Sequence, residues 1–136
     1  AQDCYDTFGI YDIFVPNNKL TAITNNSTIG RIRVNNHGHL TVSGTSIIDT
    51  IEALALVKGH VTIESGAKVT SLTVDEYSSS YAPTVNIMSG ATVETLDLNS
   101  ITKTNKITID AGANITKIIH KGVEYSSIDD FKDSLL

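Results

Sequence analysis

The chain contains no tryptophan, a single cysteine, one methionine and two prolines in 136 residues, and aromatic side chains make up only 6% of it. Without large rings to fill space, a core has to be built from Ile, Val, Leu and Ala, which the 40% hydrophobic content supplies. The lone Cys4 excludes an internal disulfide, and no second Cys or His stands near it at a metal-ligand spacing. It is read as a simple thiol near the start of the chain, with an intermolecular bridge or a lipid attachment as the sharper alternatives. No apolar run reaches the ~18 residues of a spanning helix, so membrane insertion is not expected. Basic residues are few and scattered. Ten Lys and Arg against fifteen Asp and Glu leave a net charge of −5, which argues against nucleic acid as a partner, because that requires clustered cations. Also missing are a glycine-rich phosphate loop, a Gly-x-Ser-x-Gly elbow and a His-Glu-x-x-His pair.

What is present is a repeat. Val61-Thr-Ile63-Glu-Ser-Gly66-Ala67-Lys-Val69-Thr-Ser-Leu72-Thr-Val74 returns as Val85-Asn-Ile87-Met-Ser-Gly90-Ala91-Thr-Val93-Glu-Thr-Leu96-Asp-Leu98. A third copy runs Ile107-Thr-Ile109-Asp-Ala-Gly112-Ala113-Asn-Ile115-Thr-Lys-Ile118. Apolar and polar residues alternate on either side of a Gly-Ala corner, the signature of strands buried on one face and joined by a tight bend. Earlier copies are degenerate. Gly44 takes the corner position if one residue is inserted after it, and Ser27-Thr-Ile29-Gly-Arg-Ile32-Arg-Val34 repeats the spacing of Ala67 to Val74. The corner glycines at 44, 66, 90 and 112 are 22, 24 and 22 residues apart, a period that defines a solenoid.

The fold expected is therefore all-β: a parallel β-helix (β-solenoid) of about five coils with a 22–24-residue period, closed by a short C-terminal capping helix. Equivalent corners would stack one strand spacing apart, which explains the alanine after each glycine: a larger inward side chain would meet its own copies. About five inward aliphatic residues per coil cannot hold one coil alone, so stability has to come from stacking. Residues 20–126 are assigned to the solenoid. Residues 127–136 form the capping helix, where Ser127-Ile-Asp-Asp130 resembles a capping box and Ile128, Phe131 and Leu135 share a face. Residues 1–19, with four of the eight aromatic residues, are expected to be an N-terminal cap or a partner-docking segment. The chain starts at Ala1, and Ala-Gln-Asp-Cys is compatible with cleavage after a secretory signal.

Candidate chemistry is sparse, and neither a catalytic residue nor a cofactor is assigned. Glu64 and Asp110 occupy equivalent outward positions two coils apart, with Met88 between them. The separation suits an inverting glycosidase, but no sugar-stacking aromatic accompanies the pair, and a solvated face is the simpler reading. His37-Gly-His39 would place two imidazoles on one strand face, with His60 beside His39; three imidazoles could hold a transition metal, although no metal is assigned. Thr41, Thr62, Asn86 and Thr108 form an outward column that ordinary β-propensity explains. Three Asn-x-Ser/Thr triplets, at Asn25, Asn26 and Asn114, match a glycosylation pattern common by chance in such a composition. The segment Asp75-Glu76-Tyr77-Ser-Ser-Ser-Tyr81-Ala-Pro83 breaks the repeat and should leave the solenoid as a loop. Asp75, Glu76, Tyr77 and Tyr81 are the candidate binding residues, because two tyrosines among hydroxyls and acids suit sugar or protein contact.

The repeated Gly-Ala coils, with the terminal Gly-Val-Glu-Tyr-Ser-Ser-Ile-Asp-Asp-Phe segment, resemble β-helical parts of bacteriophage tail fibres, tailspikes and related virion appendages over about residues 27–131. The resemblance implies a non-enzymatic shaft, commonly a homotrimer, that displays loops toward a host receptor, located in a virion or at a cell surface. Self-association and a cell-surface glycan or protein receptor are the partners it implies. Similar units occur in bacterial surface adhesins. A secreted adhesin or filament subunit is thus one alternative, and a carbohydrate-active β-helix enzyme another.

Overall fold

The computed structural model describes the backbone of residues 2–5, 10–24 and 26–136, and the side chains from residue 12 onward apart from residue 25. The readings of Cys4, of Asn25 and of the aromatic side chains at Tyr5, Phe8 and Tyr11 lie outside the described residues. Short and long strands alternate along the chain: β1 (Gln2–Tyr5), β2 (Ile10–Val15), β3 (Leu20–Ile23), β4 (Thr28–Val34), β5 (His39–Val42), β6 (Ile47–Ala53), β7 (His60–Ile63) and β8 (Lys68–Val74). There follow β9 (Thr84–Ile87), β10 (Thr92–Asp97), β11 (Ile107–Ile109), β12 (Asn114–His120), β13 (Val123–Tyr125) and the helix α1 (Ile128–Ser134). The odd-numbered strands from β1 to β11 stack in parallel into one sheet. The even-numbered strands from β2 to β12 stack into a second, whose end is extended by β13. The result is the β-solenoid expected, of about five turns.

The inward side chains form columns that run through the stack. In the short-strand sheet, Leu40, Val61, Val85 and Ile107 make one column, and Ile23, Val42, Ile63, Ile87 and Ile109 make another. The long-strand sheet adds Ile29-Ile48-Val69-Val93-Ile115 and Ile13-Ile32-Ile51-Leu72-Leu96-Ile118. A last column begins Val15-Val34-Ala53-Val74. Nearly all of these side chains are buried, so one continuous aliphatic core links every turn. The small-residue corner is a sixth column: Ala67, Ala91 and Ala113 are buried, and Ser46 and Ser27 take the same place in the two earlier turns. Each serine hydroxyl donates to the carbonyl three residues back, Ser46 to Ser43 and Ser27 to Thr24, both at 2.9 Å, which is how a polar atom is accommodated there.

The corner glycines divide into two kinds. Gly44, Gly66 and Gly90 hold φ of 66°, 91° and 85°, a conformation that other residues adopt only at a cost. Gly44 stands opposite Ser65, however, and not opposite Gly66, because the corners 43–46 and 64–67 are equally long and the insertion expected after Gly44 is absent. Gly112 is not in this region; a Cβ there would lie 2.7 Å from Ser89 Oγ of the turn before, so that hydroxyl would have to rotate aside. The amides of Gly66 and Gly90 donate to the carbonyls of Gly90 and Gly112, each at 3.0 Å, so the corners themselves are laced together.

Every connection from a short strand to the following long strand after β3 has four residues: 24–27, 43–46, 64–67, 88–91 and 110–113. The returning connections grow along the molecule, from four residues at 16–19 and 35–38, through six at 54–59, to nine at 75–83 and 98–106. Both sheets advance together: 19 residues from β3 to β5 and β4 to β6, then 21, 24 and 22. The early turns are thus shorter than the 22–24-residue period expected, because their returning connections are only four to six residues long. All variation in coil length therefore emerges at one edge of the solenoid.

The two ends of the chain depart in detail from the boundaries read in the sequence. Residues 1–19 contain β1 and β2, which pair in parallel with β3 and β4, so the solenoid starts before residue 20. Ile10, Ile13 and Val15 fall in register with Ile29, Ile32 and Val34, a periodicity masked in the sequence by the aromatic residues around it. At the other end, Lys121 and Gly122 (φ of 50° and 78°) form a two-residue hairpin turn with the twist such turns require, and β13 folds back antiparallel on β12. Ser127 caps α1 by accepting the amide of Asp130 at 3.1 Å. Phe131, 2% exposed, packs edge-on against His120 and Tyr125 at 5.6 and 5.7 Å between ring centres. Lys132 Nζ donates to the Ile109 carbonyl on the edge strand β11 at 2.6 Å. The hairpin thus covers one sheet edge, and the helix with its lysine covers part of the other. Leu135, expected on the buried face, is 42% exposed, because the helix ends at Ser134 and Leu135 is its C-cap.

Candidate functional site

The edge carrying the variable connections is the most differentiated surface of the molecule. Its loops are stacked by main-chain hydrogen bonds: Asn18 N–H to His37 O at 3.0 Å, then Val57 and Gly59 N–H to Asn36 O at 2.9 and 3.0 Å. Asn17 Oδ1 accepts the His37 amide at 2.9 Å, and Asn36 Nδ2 donates to Ala55 O at 3.0 Å, so each short loop is braced by a neighbour. Above them the nine-residue loop 75–83 is folded on itself. Tyr81 N–H donates to Ser78 O at 3.1 Å, and Ser80 N–H to Ser78 Oγ at 3.3 Å. This turn sets Tyr77 and Tyr81 edge to face, 5.5 Å between ring centres, although 59% and 41% of each is exposed.

Between this tyrosine pair and the shorter loops runs an open groove of about 480 Å³, lined by Asn17, Asn36, His37, Val57, Lys58, Tyr77 and Tyr81. Four successive turns contribute to it. It offers aromatic surface, amide groups, an imidazole and one cation. That combination suits a hydroxylated ligand better than an apolar one. His37 Nδ1 is buried and has no hydrogen-bond partner among the described residues, a polar atom left unsatisfied at the groove wall.

Of the four residues singled out from sequence, the structure brings Tyr77 and Tyr81 together at this groove, while Asp75 and Glu76 do not line it. Glu76 ties the loop to the next turn: its Oε1 accepts the Thr102 amide at 2.8 Å, and its own amide donates to Ser100 Oγ at 3.3 Å. Lys103 Nζ adds a bond to Ser80 O at 3.4 Å. Asp75 sits instead near Glu52 and Asp97, and its carboxyl is held above the ordinary carboxylate range by burial first and by those two charges second. Asn17, Asn36 and Lys58 were not anticipated. The one signal available was that Asn17 and Asn36 stand 19 residues apart, the spacing of their turns.

The histidines divide between two places. His37 belongs to the turn before β5 and lines the loop groove, so it does not share a strand face with His39. His39 and His60 are paired neighbours in the short-strand sheet and meet on its outer face, Nδ1 to Nδ1 at 2.7 Å, with ring centres 4.4 Å apart. Burial, and then the neighbouring ring, lower the pKa of His60. No three metal-ligating side chains come together among the described residues. His120, the fourth histidine, is buried and donates from Nε2 to Ile101 O at 2.9 Å. Glu64, Met88 and Asp110 line a separate open depression, where Asp110 Oδ2 accepts the Ser89 amide at 3.1 Å. The outward column Thr41-Thr62-Asn86-Thr108 is present, and Asn86 Nδ2 bonds Thr62 Oγ1 at 3.2 Å.

No helix among the described residues is long and apolar enough to cross a membrane. Compared with protein-family models, with curated proteins and with solved structures, the chain finds no match.

Proposed function

We propose that the protein is a non-enzymatic attachment scaffold, a fibre or appendage component of a virion, which holds its loop edge against a host surface. The observation that carries this reading is the confinement of every length change to one edge, where four turns converge on the groove beside Tyr77 and Tyr81. A rigid aliphatic shaft with one elaborated edge is the division of labour an attachment protein needs: the stack sets position, and the loops vary without disturbing it. The exposed tyrosines present wide, rigid contact area at low entropic cost, and the asparagines beside them add hydrogen-bonding capacity for a glycan or a polar protein surface.

The covered last turn supports a discrete subunit over a filament that grows end to end, because β13 occupies one of the strand edges that a next subunit would use and α1 with Lys132 covers part of the other. A bacterial surface adhesin would use the same edge in the same way. Glycan-array binding of the purified protein, compared with Tyr77→Ala and Tyr81→Ala, tests the reading directly. Binding that falls at least tenfold in both variants, with thermal stability unchanged, supports attachment through the groove. Binding that survives both, or release of reducing ends from a polysaccharide, overturns it. Light scattering tests the three-fold assembly that a virion fibre implies.

A further inference from the structure

We propose that His39 and His60 form a two-imidazole site for a borderline transition-metal ion, Zn²⁺ or Cu²⁺, on the outer face of the short-strand sheet, away from the loop groove. The two residues are partners in the parallel register of β5 and β7, so their Cα positions are fixed one strand spacing apart by the main chain. Their rings converge instead of diverging, Nδ1 to Nδ1 at 2.7 Å and 61° between planes. Two nitrogens this close share one proton: one ring donates and the other offers a lone pair. A cation entering between them displaces that proton, which is replaced by one taken up at Nε2 of the same ring, so each imidazole stays neutral and gives the ion its Nδ1 lone pair. Four-coordinate zinc holds nitrogens at about 2.0–2.1 Å, which places two of them roughly 3.3 Å apart. The rings therefore need to open by only about half an ångström, within reach of small side-chain rotations.

The surroundings limit what kind of ion fits. The next rungs of the same column are Leu20 on one side and Thr84 on the other, so no third imidazole follows. The groove beside the pair, about 350 Å³, is lined by Leu20, Thr21, Ala22, Thr41, Ser43 and Glu64 and leaves room for water to complete the coordination. Nitrogen ligands without a carboxylate cage select Zn²⁺ or Cu²⁺ over Mg²⁺ or Ca²⁺, which require oxygen.

The test is calorimetric titration of the untagged protein with Zn²⁺, and separately with Cu²⁺, at pH 7.5 in a non-coordinating buffer. One site per chain is expected, weakened at least tenfold in His39→Ala and in His60→Gln, and retained in His37→Ala and in Cys4→Ser. Loss in Cys4→Ser with retention in the two pair variants overturns the assignment, as does the absence of binding to the wild type. A second measurement does not depend on whether variants fold: side-chain ¹⁵N shifts of the wild type during Zn²⁺ addition. Large shifts confined to the ring nitrogens of His39 and His60 are expected, and shifts at His37 or His120 instead overturn it.

Discussion

Single residues in this molecule are constrained chiefly by their own copies one turn away. A Cβ added at Gly59 would stand 2.3 Å from the Gly38 carbonyl oxygen, a backbone atom that cannot step aside. Gly59→Ala should therefore cost about 2–3 kcal/mol by overpacking. Gly122→Ala, at positive φ but with nothing within 4 Å of the new atom, should cost only the conformational strain of about 1 kcal/mol; chemical denaturation of both variants checks the order. The corner column makes a matching prediction. Ala91→Ser should be nearly neutral, because Ser27 and Ser46 already occupy equivalent places, whereas Ala91→Leu should unfold the protein or sharply lower its melting point. Asp75 adds a pH dependence. Its folded pKa lies above the unfolded value of 3.8, so its charge weighs against folding above the folded pKa, and that penalty disappears as pH falls through it toward 3.8. Asp75→Asn should accordingly raise the melting temperature slightly at pH 7, with an advantage that shrinks on acidification. Melts of both proteins between pH 4 and 7 read this directly.

At the scale of elements, the terminal cap and the loops behave oppositely. Truncating Phe131 to Ala removes a buried ring that seals the last turn, an expected loss of about 3 kcal/mol. Hydrogen exchange should show β11 and β12 losing protection ahead of the central strands. Replacing residues 75–83 by a four-residue turn like 35–38 should leave the far-UV spectrum unchanged. That exchange shortens the spacing of both sheets together and keeps every column in line. What could be read from the sequence follows the same division. The coils at 65–69, 89–93 and 111–115 were legible because glycine and alanine mark each corner. The turn containing β2 was not, since Tyr11 and Phe14 stand among Ile10, Ile13 and Val15 and hide the period that aligns them with Ile29, Ile32 and Val34. The groove was half legible. Tyr77 and Tyr81 interrupt a repeat and so draw notice, but Asn17, Asn36 and Lys58 are ordinary turn residues in sequence and meet the tyrosines only because four turns lie one above another. Glu76 read as a binding residue, yet its carboxylate is taken by the Thr102 amide, a bond 26 residues away that no local pattern announces.

For the whole molecule, the decisive property is that each turn contacts only its neighbours, so length is a free variable while cross-section is not. Duplicating one complete turn, residues 67–90, in tandem should give a folded protein longer by about 4.8 Å along the stack. X-ray scattering and circular dichroism per residue would test it; a collapse of the dichroism signal would show that the turns are not interchangeable. Connections of four residues recur without exception after each short strand from β3 onward, whereas the opposite side runs from four to nine. An insertion or deletion in the constant side throws the following strand out of phase with both neighbours and turns its aliphatic residues toward water. The same event at the exposed positions of 54–59, 75–83 or 98–106, away from the buried Leu56, Gly59, Pro83, Leu98 and Ile101, leaves the columns in register. Natural variants of this chain should therefore carry their gaps in those three segments, and mutational tolerance mapped along the sequence should trace one flank of the molecule.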